Sequence, residues 1–174
     1  MKPTILFPFS VNTDFREGLI WAEELAQRML GTLILFTAIA QPTEEQVVRV
    51  YEAVLRAQGH PSRLKRQPPR VRPSIRIETG SLPDAIRDHL QANLVDILVL
   101  DPHLPAAIAQ LETQLVQAAN STILLQADGG APSPSRSFFA RLQQAKIHKL
   151  PDHVYQTLSN DPGFFNLVRA MFRR

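Results

Sequence analysis

Hydrophobic and polar positions alternate between two periods along the first three quarters of the chain. Ile5-Leu6-Phe7-Pro8-Phe9 is a short apolar run, and the polar stretch Ser10-Val11-Asn12-Thr13-Asp14 follows it. Phe15, Leu19, Ala22, Ala26 and Met29 then recur at helical spacing, with Asp14 and Glu17 spaced as a capping box and Gly31 placed to close the helix. Thr32-Leu-Ile-Leu-Phe-Thr-Ala-Ile39 is nearly continuous in apolar character, as a strand buried on both faces should be.

The unit then repeats. Thr43 and Gln46 form a second capping box ahead of Val47, Val50, Tyr51, Val54 and Leu55, and Gly59 ends that helix. Residues 74–78 alternate Ile75 and Ile77 with polar neighbours, which predicts an edge strand. Ser81 and Asp84 cap a third helix with Pro83 in its first turn, and Ala85, Ile86, His89, Leu90 and Asn93 follow its spacing. Asp96-Ile-Leu-Val-Leu-Asp101 predicts a central fourth strand, and a helix from Pro105 through Ile108, Leu111, Leu115 and Ala119 should follow. Residues 122–126 predict a short fifth strand.

Strands alternating with helices imply an α/β fold: a doubly wound, parallel five-stranded sheet of order 3-2-1-4-5 with helices on both faces. The run Asp128-Gly129-Gly130 with Pro132 and Pro134 marks a boundary. The chain therefore divides into an α/β body over residues 1–128 and a helical C-terminal extension over residues 129–174. In that extension Phe138, Leu142 and Ala145 predict one short helix, residues 152–158 a second, and Phe164, Leu167, Val168, Met171 and Phe172 a third. These helices cannot each bury an apolar side alone, so Phe164, Val168, Met171 and Phe172 are the candidate interaction residues.

Charge sharpens the division. Residues 131–174 carry seven Lys and Arg against two Asp and Glu, which leaves twelve against fourteen in the rest of the chain. A basic extension beside a slightly acidic body favours docking of one on the other, within a chain or between chains. The basic segment 63–72 has no aromatic residue for base stacking and lies in a proline-rich connection, so no specific nucleic-acid partner is expected. The whole of residues 60–73 reads as a mobile surface connection. The chain has no cysteine, and so no disulfide framework; a cytoplasmic location is expected. No apolar stretch approaches a membrane span, and no leader is expected from Met1-Lys2-Pro3-Thr4.

Ligands of such sheets bind outside the carboxyl ends of the strands. Ser10 and Asn12 after the first strand, with Asp101 and His103 after the fourth, are the candidate crevice. No nucleophile elbow, glycine-rich phosphate loop or metal spacing of histidines accompanies them, so no catalytic residue, no metal and no enzyme activity are expected.

The chain resembles the universal stress protein family over residues 3–127. The resemblance rests on Thr4-Ile-Leu-Phe-Pro8, Gly18-Leu-Ile-Trp-Ala22-Glu-Glu-Leu-Ala26, Glu78-Thr-Gly80-Ser-Leu-Pro83-Asp-Ala-Ile86 and Asp96-Ile-Leu-Val-Leu100. It implies a stress-response-type binding and regulatory module that forms homodimers. Members that bind ATP carry an aspartate where this chain has Ser10, and a glycine-rich turn where it has Asp101-Pro102-His103-Leu104-Pro105. Proline has no amide donor and Asp101 repels phosphate. The resemblance therefore implies the class without the usual ATP site, with no cofactor and ATP disfavoured. A nucleotide or other small molecule in an altered crevice is the alternative, and an enzyme of the wider nucleotide-binding superfamily the remotest one.

Overall fold

The computed structural model describes residues 2–59, 71–126, 138–149 and 156. Three βα units and a fourth parallel strand set the architecture: β1 (Thr4–Pro8), α1 (Arg16–Arg28), β2 (Thr32–Ile39), α2 (Glu44–Gln58), β3 (Ser74–Thr79), α3 (Leu82–Ala92) and β4 (Ile97–Leu100). Two short helices follow, α4 (Ala106–Gln110) and α5 (Glu112–Ala118), then β5 (Thr122–Leu124). The chain adds α6 (Phe138–Gln144) and β6 (Lys146–His148).

The sheet runs β3-β2-β1-β4-β5-β6. All pairings are parallel except β5–β6, which is antiparallel with Thr122 opposite His148 and Leu124 opposite Lys146. The expected order is present, but the sheet has six strands and not five. The sixth is three residues long, too short for alternation to announce it.

Period-two alternation divides the core into two layers. Ile5, Phe7, Leu33, Leu35, Ile97, Val99, Ile123 and Leu125 face one layer with α1 and α2. Leu6, Phe36, Leu98, Leu100 and Leu124 face the other, with Ile86 and Leu90 of α3, Ile108 of α4 and Leu115 of α5. β4 is buried along its whole length, whereas β3 at the edge alternates exposed and half-buried residues from Ser74 to Ile77, with Glu78 also half-buried.

Several local expectations are corrected. Asp14 and Glu17 do not form a capping box: α1 begins after Phe15, and the Asp14 carboxylate is taken by the Arg16 amide and side chain. The box at Thr43 and Gln46 does form, and Ser81 caps α3 by accepting from the Asp84 amide. The helix expected from Pro105 to Ala119 is broken at Leu111 into α4 and α5. β5 ends at Leu124, short of residue 126.

Leu30, at φ 50°, takes the left-handed position that ends α1, with its amide donating to Gln27 O and the Gly31 amide to Ala26 O. Gly31 serves a different need, because a Cβ there would stand 2.7 Å from the Pro3 carbonyl oxygen. No helix of the described residues is long and apolar enough to cross a membrane.

The C-terminal segment enters the same core. Phe138 and Leu142 of α6 are 3% and 1% exposed. The Phe138 ring stacks on Trp21 of α1 with centroids 4.8 Å apart, Trp21 Nε1 donates to the Phe138 carbonyl at 3.2 Å, and the Arg28 guanidinium lies 4.7 Å from the ring centroid. The division drawn at residue 128 falls within residues 127–137, outside the described residues. Also outside the described residues lie the expected helices of residues 152–158, apart from residue 156, and 164–172, the interaction residues Phe164, Val168, Met171 and Phe172, and residues 60–70 of the basic connection.

Candidate functional site

β1 and β4 are neighbours from which the chain winds off in opposite directions, so the loops at their carboxyl ends flank the crevice of the doubly wound sheet. On the β1 side, Ser10 builds a turn. Its Oγ accepts from the Asn12 amide at 3.3 Å, and its carbonyl accepts from the Thr13 amide and hydroxyl at 3.2 and 3.1 Å. Asn12 is exposed, while Phe9 is fully buried with its ring 4.7 Å from that of Phe15.

Asp14 ends this loop. Its hydrogen bond with the Arg16 side chain, with a smaller contribution from His103, holds its carboxyl down at about 2. That coupling brings the loop after β4 within electrostatic reach of the start of α1.

On the β4 side, the Asp101 side chain is 3% exposed and that of His103 is 57% exposed. Asp101 Oδ1 accepts from the His103 amide at 2.8 Å and faces His103 Nδ1 at 3.1 Å. That contact selects the tautomer with the proton on Nδ1 and leaves Nε2 as an acceptor. Burial pushes the Asp101 carboxyl up from its ordinary 3.8, against opposing contributions from His103 and from the charge of Arg141.

Room for this buried carboxyl comes from α1. A Cβ on Gly18 would stand 1.9 Å from Asp101 Oδ2 and 2.9 Å from its Cγ, so only glycine leaves the space that Asp101 fills. Arg141 of α6 closes the same corner. Its Nη1 donates to the Glu17 carbonyl at 3.2 Å and lies 3.5 Å from Glu17 Oε2.

Asp101 and His103 are thus brought together as a bonded pair. Ser10 and Asn12 form their own turn, and among the described residues no hydrogen bond joins them to Asp101 or His103. Gly18, Glu17 and Arg141 were missed by reading the sequence. A glycine inside a helical pattern is a signal of close packing. Arg141, 124 positions from its partner Glu17, carries no such signal.

Residues 102–105 leave no backbone amide for a phosphate. Pro102 and Pro105 lack an amide hydrogen, the His103 amide is held by Asp101 Oδ1, and the Leu104 amide donates to the Asp101 carbonyl at 3.2 Å. What the corner offers a ligand is one imidazole acceptor beside a carboxylate. Among the described residues no group of three His, Asp or Glu side chains could hold a metal ion.

No protein-family model matches the chain, and no curated protein matches it. Among solved structures it is similar to a crystal structure of a universal stress protein in complex with cAMP, at 16% identity and a TM-score of 0.50. That likeness covers 74% of this chain and 98% of the other. Strand order, the position of the crevice and this likeness agree that the chain has the universal stress protein fold.

Proposed function

We propose that the protein is a non-catalytic binding and regulatory module of the universal stress protein type, acting through self-association and protein contacts without the usual ATP site. One observation carries the reading. At the crevice, where a phosphate needs free amides, residues 102–105 offer none, and a buried carboxylate lies beneath them. The sequence assigns the apolar residues Phe164, Val168, Met171 and Phe172 to partner contacts, and a cytoplasmic setting fits a chain without cysteine.

The second reading is a small-molecule binder with an altered crevice. It is favoured by the exposed His103 ring, oriented by Asp101, and by the cAMP carried by the similar structure. Calorimetry and thermal shift with ATP, ADP, AMP and cAMP separate the two. A ligand present at 100 times its dissociation constant stabilises the folded state by about 2.7 kcal/mol. The first reading expects no shift with any of the four nucleotides. A micromolar affinity for ATP that disappears when residues 101–104 are replaced would overturn it.

A further inference from the structure

The outer edge of β3 has no strand partner among the described residues, since β3 pairs only with β2. It is the longer of the two sheet edges, six residues against three in β6, and contains no proline. Such an edge is a template for another strand. Its hydrogen-bonding parity is fixed by the Gly80 amide, which donates inward to the Ile39 carbonyl at 3.0 Å. Alternate residues of a strand point their backbone groups the same way, so Glu78 and Arg76 also bond inward to β2. Ile75, Ile77 and Thr79 therefore present their amides and carbonyls outward.

Side chains add a second constraint. Arg76 and Glu78 lie on one face, 48% and 39% exposed, with Arg76 Nε 2.7 Å from Glu78 Oε1. Ile75 and Ile77 lie on the other face and are half-buried against the core.

We propose that β3 pairs antiparallel with β3 of a second copy of this chain, about a two-fold axis at Ile77, joining the two sheets into one. Placing Ile77 opposite its own equivalent makes the outward-facing residues the hydrogen-bonded pairs: Ile77 with Ile77, and Ile75 with Thr79 twice. That is about six hydrogen bonds between chains. The same register sets Arg76 of each copy opposite Glu78 of the other, in the closer, non-hydrogen-bonded positions. Backbone parity requires the axis to pass through a residue, and the charge pattern selects Ile77 among them. A shift of the axis to Arg76 or Glu78 keeps that parity but places like charges opposite each other. An isologous contact of this kind closes on itself as a dimer.

The inference names the surface for the self-association in the proposed function and rests on that reading. Its test is the mass of the full chain by light scattering and sedimentation, with circular dichroism to confirm folding. Arg76→Glu and Glu78→Arg each set like charges across the axis and should raise the dimer dissociation constant at least about tenfold. Mixing the two variants one to one places opposite charges at both cross-strand positions and should restore the dimer. Rescue by mixing cannot come from the ion pair within a chain, which is broken in both variants. Ile77→Cys, in a chain with no other cysteine, should form a disulfide-linked dimer on mild oxidation, because hydrogen-bonded partners stand about 5.5 Å apart at Cα. A wild-type chain that stays monomeric refutes self-association itself. A wild-type dimer indifferent to both reversals, or one in which Ile77→Cys does not cross-link, refutes the β3 surface alone.

Discussion

Substituting Gly18 by alanine tests the packing beneath the crevice, because two opposing effects of known size meet at that position. In an open helix the change is favourable by about 1 kcal/mol, since alanine is the better helix former. Here the new methyl would stand 1.9 Å from Asp101 Oδ2, 2.9 Å from Asp101 Cγ and 3.1 Å from Phe7 Cζ. Asp101 cannot swing aside freely, because its Oδ1 is held by the His103 amide and faces the His103 ring. Overpacking of this kind costs about 1–3 kcal/mol. The net expectation is a loss of up to about 2 kcal/mol, against the sign of helix propensity.

Removing the obstacle should reverse the sign. In an Asp101→Ala background, where only the 3.1 Å approach to Phe7 Cζ remains, Gly18→Ala should become stabilising, by up to about 1 kcal/mol. In an Asp101→Asn background, which keeps the side chain's shape, it should remain destabilising. Urea denaturation of the four combinations of Gly18→Ala and Asp101→Ala yields a coupling energy, expected between about 1 and 3 kcal/mol. If Gly18→Ala stabilises the otherwise unchanged chain by the full helix-propensity amount, the contact between α1 and Asp101 does not exist and the crevice has a different floor.

Two further outcomes follow from the same packing. Phe138→Ala should destabilise by about 3–5 kcal/mol, and Trp21, the only tryptophan, should red-shift in fluorescence as its stacking partner is lost; an unchanged spectrum and stability refute the docking of α6. Because burial raises the Asp101 carboxyl above 3.8, the native state holds that proton at a pH where the unfolded state has released it. Its favourable contribution is therefore complete below 3.8 and lost as pH rises through the raised native value. Asp101→Asn should be more stable than the unchanged chain at neutral pH, with the gap closing toward acid; equal stability at every pH in urea titrations would count against a buried charge.

The sheet was legible because its core strands are written in short apolar runs whose two faces both face protein, as in Ile97-Leu98-Val99-Leu100. Strand order followed from chain connectivity and handedness. What was not legible depends on contacts distant in sequence. The Thr43 box is local and formed as read, whereas Asp14 was diverted by Arg16, a competitor only two residues away that the capping spacing ignores. Lys146-Ile147-His148 becomes a strand because β5 offers an edge, not because of any period of its own. Asp101 and His103 are bonded to each other within one loop, but the burial of Asp101 depends on a missing side chain at Gly18, 83 positions earlier.

The closing position of α6 and β6 has a consequence in time as well as in space. Trp21, the β5 edge and the corner at Glu17 are all complete before residue 127 is synthesised, yet their covering is encoded by residues 138–148. At about 5–20 residues per second, the intervening stretch takes about 1–4 s to add. For that interval, a body able to collapse carries a bare tryptophan and an unpaired strand edge. The growing chain thus passes through a brief vulnerable window in which premature termination would strand it, and a chaperone would find its natural point of engagement on the flank that α6 later seals.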